Sequence, residues 1–202
     1  MRRGDGAPLR GTRRCASGLA ALVLAVLASA PSIPLARAQA RPPSEYQVKA
    51  AFLFNFAKFI DWRPASFASP QAPFSICLLG KDPFGQVIDD SLQGKSIGEH
   101  AVTVQRVKEA AQARHCQIVF AEVSELGSVA TILEELRGAN VLLVGEADGF
   151  AAAGGTIQFT LEENHVRFLI NVDAADRAGL KFSSKLLALA KIVHGAAGDG
   201  KS

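Results

Sequence analysis

The sequence predicts a single three-layer α/β domain, with a mainly parallel sheet, an antiparallel edge hairpin and helices on both faces. Three observations carry that expectation. Strand-like and helix-like apolar periods alternate through residues 74–145, as strands and crossover helices do in a parallel sheet. The strand segments include continuous apolar runs, such as Val141-Leu142-Leu143-Val144, so both sheet faces are expected to be covered. Between 156 and 172 two strand segments are separated only by a short polar turn, which reads as a hairpin.

Ahead of this domain stands a segment of a different kind. Arg2, Arg3, Arg10, Arg13 and Arg14 form a basic leader, an apolar run follows over 19–30, and Ala36-Arg37-Ala38 offers small residues at an A-x-A spacing. Basic, apolar and small in that order is the pattern of a secretory signal peptide, here 1–38 with cleavage after Ala38. The apolar run is shorter than the roughly 20 residues of a bilayer-spanning helix, which favours a removed segment over its rival, a retained membrane helix. Residues 39–44 form a Pro-containing linker, and the protein is expected to be exported. The whole chain has 22 basic and 19 acidic residues, but six Arg and one Asp belong to 1–38, leaving 16 against 18. The basic character therefore lies in the leader. No Lys/Arg cluster remains beyond it, so no electrostatic footprint for nucleic acid is expected. The remaining 164 residues suffice for one domain with its own core.

Export also bears on the cysteines. Cys77 and Cys116 remain after the leader, 39 positions apart. An even pair in an oxidising compartment reads as one disulfide, and closing such a loop is worth roughly 4 kcal/mol in the chain-entropy model. The competing reading is two buried thiols packed as small hydrophobes.

Each element has a local reason. Ser44 caps a helix over 45–62. Val48, Phe52, Phe56 and Phe59 share one face of it, but Ala50, Leu53, Phe54 and Ala57 cover much of the rest, so it is expected to be buried on most sides. Phe54 falls among Gln47, Lys58 and Asp61, and either packs under a loop or meets another chain. An apolar strand over 74–80 ends in Gly80, and 81–85 turns into a helix over 84–92. A second strand covers 102–107, a short Ala-rich helix follows, and a third strand covers 116–121. Ser124 caps the next helix, with Leu126, Val129, Ile132, Leu133 and Leu136 inward, and Gly138 stops it. A fourth strand covers 140–145, and the hairpin strands cover 156–161 and 166–172. Ser183 and Ser184 cap a last helix through Val193, with Leu186, Leu189, Ile192 and Val193 as its core stripe and Lys185, Lys191 and His194 outward. The domain is expected over 45–195, with 196–202 a flexible tail.

Little in the chain points to catalysis. Residues 195–202 spell G-x-x-x-x-G-K-S, yet a phosphate loop needs a strand before it and a helix after it. Here a helix is expected before it, so no nucleotide binding is expected. A G-x-G-x-x-G after the first strand and a G-x-S-x-G elbow are both missing. His100, His115, His165 and His194 are scattered, and His115 beside Cys116 is a single adjacent pair, a weak basis for a metal site. Asp89-Asp90, Glu134-Glu135 and Glu162-Glu163 are sequence neighbours, which point to different sides. No catalytic constellation, metal or cofactor is expected. The loops 80–85 and 145–149 lie at strand carboxyl ends, where a parallel sheet takes a small ligand.

Four segments together resemble one family. V-K-A-A-F-L-F-N-F-A-K-F-I-D-W over 48–62 resembles the opening of the YfiR-type periplasmic repressors. I-C-L-L-G-K-D-P-F-G over 76–85 resembles their first strand and turn. F-A-x-x-G-G at 150–155, and R-F-L-I-N, A-G-L and S-S-K-L-L between 167 and 187, resemble their later segments. The resemblance implies a periplasmic α/β protein, often dimeric and without enzymatic activity. It implies repression of an inner-membrane diguanylate cyclase by binding its periplasmic sensor region, with an outer-membrane lipoprotein that titrates the repressor away. A paralogue would serve another cyclase or a sensor kinase. The resemblance also implies a Cys77–Cys116 bridge, while a second cysteine pair near Ala151 to Gln158 is absent here. The leading expectation is a regulatory binding module that forms a homodimer. Phe54 and Phe150, apolar among polar neighbours, are its candidate partner or dimer contacts. The alternatives are a periplasmic small-ligand sensor or solute-binding protein, and an exported enzyme with an unrecognised site.

Overall fold

The structure, a computed structural model, describes residues 43–123 and 127–195. Ser44 opens helix α1, Glu45–Phe59, through a capping box. Its hydroxyl accepts from the Gln47 amide while the Gln47 side chain accepts from the Ser44 amide, which satisfies two helix-end donors at once. A short strand follows, β1 (Ile60–Asp61), and then β2 (Phe74–Leu79), α2 (Gln86–Leu92), β3 (Ser96–Ile97) and β4 (His100–Val107). A 3-10 turn at Ala110–Ala113 leads to β5 (Ile118–Ala121), α3 (Gly127–Glu135) and β6 (Leu142–Gly145). The chain ends in β7 (Ile157–Glu162), β8 (His165–Asn171), α4 (Val172–Arg177), β9 (Lys181–Phe182), α5 (Ser184–Leu187) and β10 (Lys191–Val193).

Eight of these strands form one sheet, in the order β10-β8-β7-β6-β5-β2-β4-β3. Neighbours from β7 through β6, β5 and β2 to β4 are parallel, and β7–β8 is the expected antiparallel hairpin, with Phe159 opposite Phe168. Its two-residue turn places Glu163 and Asn164 at φ 48° and 63°, the left-handed geometry that matches strand twist in tight hairpins. Every residue of β2, β5 and β6 is buried, as their largely apolar sequences require; the one polar side chain among them, Ser75, is hydrogen-bonded. Alternate residues serve opposite layers. Ile76, Leu78, Ile118, Phe120, Leu142 and Val144 meet Leu53 and Phe56 of α1 and Ile88 and Leu92 of α2. Cys77, Leu79, Val119 and Leu143 meet Val129 and Ile132 of α3. Each fully buried Leu, Ile or Phe contributes about 1.5–3 kcal/mol, so these two layers hold the sheet between them. No helix among the described residues is long and apolar enough to cross a membrane.

Three expectations are corrected. First, α1 stops at Phe59 instead of 62. Ile60 is extended and pairs with Phe182, and the Trp62 indole donates to the Ala57 carbonyl at 2.8 Å, so tertiary partners replace the last turn. Second, no helix runs to Val193. Ser183 caps a single turn, α5, and the chain then extends as β10 alongside β8. Of the expected core stripe, Leu186 is buried, but Leu189 and Ile192 are 69% and 42% exposed. Local helix propensity yields there to the unpaired outer edge of β8, whose backbone groups need partners. Third, β10 covers the outer side of the hairpin, so the hairpin is not itself the sheet's edge. Residues 172–182 hold α4 and β9, which local periodicity did not reveal. Ser124, Leu126, Ala38 with the whole leader, and the tail 196–202 lie outside the described residues.

Candidate partner-binding surface

Phe54 sits on the outward side of α1 and is half-buried against the core. Part of the ring is covered by the connection from α2 to β3. The Lys95 ammonium lies 4.6 Å from the ring centroid and that of Lys58 5.7 Å, both within the range where ring quadrupole and cation attract. The result is an aromatic edge bounded by two ammonium groups, with Ala51 and Asn55 exposed beside it. Such a patch can take an apolar contact with an acidic rim. The sequence left two readings of Phe54 open, and the geometry combines cover by a loop with a remaining accessible edge.

One turn earlier the helix buries a charge. Lys49 is 4% exposed. Its ammonium donates to Glu45 at 2.5 Å and to Glu146, beyond β6, and Tyr46 donates to Glu146 at 3.1 Å. Burial alone would depress the Lys49 pKa, but hydrogen bonds to the two carboxylates outweigh it and hold the pKa above the ordinary lysine value. Burial, and then the nearby Glu146 charge, push the Tyr46 phenol up. This cluster ties the start of α1 to the end of β6. Sequence reading missed it, although Glu45 and Lys49 stand at i, i+4 spacing in a helix otherwise apolar on that side.

Phe150 is not a partner contact. It is completely buried, its ring held between Gly145 and Gly155. A methyl group built on Gly145 would lie 2.5 Å from the ring, and one on Gly155 would overlap it. The F-A-x-x-G-G segment is thus a slot for an aromatic side chain. The turn is gripped at Ala151, whose amide donates to the Gln158 side chain at 3.0 Å and whose carbonyl accepts from Asn171 at 2.7 Å. Asn171, also fully buried, caps α4 by accepting from the Ala174 amide at 2.9 Å. Polar sequence neighbours misled the reading here, because the backbone turns between Asp148 and Phe150 and sends the ring inward.

Cys77 and Cys116 form the expected disulfide, with Cα atoms 6.0 Å apart, within the usual range for such a bridge. Cys77 pairs in register with Val119, three positions beyond Cys116, so strand register alone does not bring the two together. The 3-10 turn before β5 carries the chain over the sheet face that Cys77 occupies, alongside Ala113. His115 is near both sulfurs, but bridged sulfurs hold no thiolate to ligate a metal. Both loops at strand ends border clefts: Glu146 and Asp148 of 145–149 line one of about 350 Å³ beside the Lys49 cluster, and Gly80 and Lys81 after β2 line a larger one of about 590 Å³.

A family model described as YfiR/HmsC-like matches residues 46–191. There is no significant match among curated proteins. Among solved structures, a conserved domain protein from Vibrio cholerae O1 biovar El Tor str. N16961 aligns with a TM-score of 0.50 at 10% identity, over 74% of this chain and 60% of its own. The ABC domain in complex with L-Trp from Streptococcus pneumonia aligns with a TM-score of 0.41 at 10% identity, over 59% of this chain and 55% of its own. The chain therefore spans 60% or less of the length of these two structures, and its likeness to the first is one of fold alone.

Proposed function

Because this chain belongs to the YfiR/HmsC-like family, we propose that it is an exported repressor that holds a membrane diguanylate cyclase inactive by binding the cyclase's periplasmic sensor region. At the family level the support is for a periplasmic regulator of cyclic-di-GMP signalling rather than an enzyme. The observation that carries the reading is the extent of the match, 46–191, which takes in α1 from its second residue, the central sheet as far as the first residue of β10, and both covering layers. In this reading the leader is removed after Ala38, the mature protein works as a homodimer, and the Phe54 surface with Lys58 and Lys95 meets the partner. A sensor kinase in place of the cyclase, and an outer-membrane lipoprotein that draws the repressor away, fit the same chemistry.

Deleting the gene and measuring cyclic-di-GMP tests the reading. The level is expected to rise and to return with the wild-type gene; an unchanged level overturns it. The surface is tested by Phe54→Glu and, because Phe54 is half-buried, by the exposed Lys58→Glu as well. Both proteins are expected to retain the wild-type circular dichroism spectrum while co-purifying less cyclase. Full repression by folded versions of both variants would remove this face from the mechanism.

A further inference from the structure

Two adjacent strands at the centre of the sheet send their connections in opposite directions. β2 leads through α2, on the α1 face, to β4, and β5 leads through α3, on the other face, to β6. Divergence of this kind opens a crevice outside the strand carboxyl ends, where open α/β sheets take their ligands. A cleft of about 590 Å³ lies there, within the size range of small-molecule sites. It is separate from the Phe54 surface and from the Lys49 cluster.

The cleft's chemistry is two-signed. Lys81 follows β2 and Lys108 follows β4, on one side of the crevice. Glu122 follows β5 and Glu135 closes α3, on the other, and Glu109 stands beside Lys108. Between them Leu79 and Ile132 supply apolar surface. Among the described residues, none of these five charged side chains joins an ion pair, and Lys81, Lys108, Glu122 and Glu135 make no side-chain hydrogen bond, while the Glu109 side chain accepts from the Gln112 amide at the 3-10 turn. A simple anion entering the cleft would meet three carboxylates, and a simple cation would meet two ammonium groups. A molecule with both charges at separated ends meets a partner at each.

We propose that this cleft binds a short peptide with free termini, its carboxylate paired with Lys81 and Lys108, its ammonium with Glu122, and its apolar middle against Leu79 and Ile132. A dipeptide or tripeptide fits the volume, and the apolar floor favours aliphatic side chains. Occupancy would tie the loops after β2, β4 and β5 to α3 across the sheet's central crevice.

The test is amide chemical-shift titration of the purified protein with L-leucyl-L-leucine and L-alanyl-L-alanine, beside their N-acetylated and C-amidated forms. Saturable shifts are expected at Gly80, Lys108, Glu122 and Thr131. Blocking either terminus is expected to weaken binding about tenfold or more, as loss of a charged hydrogen-bond partner does. Lys81→Met with Lys108→Met, both at exposed positions, is expected to leave the fold intact and to weaken the free dipeptides by a similar factor. Shifts that are absent from these amides, that survive blocking of the termini, or that are unchanged in the double variant would overturn the proposal. The titration involves no cyclase, so its failure leaves the repressor reading standing, and failure of that reading leaves the titration's result standing.

Discussion

Lys49 keeps a charge in the interior because Glu45 and Glu146 both reach it, and that dependence can be measured. Removing one member of a buried pair strands the other, at a cost of about 3–5 kcal/mol when fully buried. Glu146 is partly exposed, so Glu146→Ala is expected to cost about 2–4 kcal/mol, read from urea denaturation. Lys49→Met, which removes the charge and keeps the volume, is expected to cost less. Lys49 and Tyr46 both have raised pKa values in the fold. Their stabilisation is therefore complete below the unfolded values, roughly 10 for each, and is lost as pH rises through the folded ones. Above about pH 10 wild-type stability should fall more steeply than that of Lys49→Met; parallel curves there would refute the coupling. At the other end of the same loop, Gly155→Ala would drive a methyl group into Phe150. A loss of about 2 kcal/mol or more is expected from overpacking, with Gly127→Ala, which meets open space, as the control.

At the scale of elements, the disulfide reinforces a pair of neighbouring strands and one surface arginine fastens a helix to the sheet. The bridge ties β2 to the entry of β5 across 39 positions. Its removal by Cys77→Ser is expected to lower stability by about 4 kcal/mol at most, the chain-entropy figure for such a loop, and chemical denaturation with and without reductant measures it. Arg106 of β4 donates to Asp82 at 3.0 Å, to Asp89 of α2 at 2.6 Å and to the Gly85 carbonyl at 3.0 Å. These contacts lock α2 onto the sheet. The hydrogen bond from Arg106 holds the Asp89 carboxyl below the usual aspartate range. Asp89's contribution is thus present above the unfolded aspartate value, about 3.9, and lost as pH falls through the lower folded one. In Arg106→Met the acid limb of the stability curve should flatten, while hydrogen exchange in α2 should quicken at neutral pH. Protection in α2 equal to wild type would show that apolar packing of Ile88 and Leu92 suffices.

For the whole molecule, the reading as an exported regulator makes a prediction about covalent form. Intact mass of protein recovered from the periplasm should correspond to a chain beginning at Gln39 and lacking two hydrogens for the bridge. A mass that retains the Arg-rich leader would end the case for processing after Ala38. Sizing chromatography at several concentrations tests the homodimer, and a monomer throughout would confine the Phe54 surface to the partner contact.

Much of this molecule was legible in the chain. Strands that are apolar at nearly every position lie between two covering layers, so β2, β5 and β6 and the three-layer architecture followed from composition along the strand. Ser44 with Gln47, the Glu163-Asn164 turn and Ser183 are local devices, and local devices can be read locally. The cysteine pair was legible because two cysteines remain once the expected leader is set aside, and an even count in a chain expected to be exported reads as a bridge. What tertiary structure alone decided are the places where a distant partner outweighed local preference. The open edge of β8 turned a helix-forming sequence into β10, Phe182 ended α1 early, and two glycines ten positions apart turned Phe150 from a presumed surface residue into a core one. Lys49 and the central cleft belong to the same class, since each exists only where segments far apart in sequence meet, and no window of the chain contains both sides of such a contact.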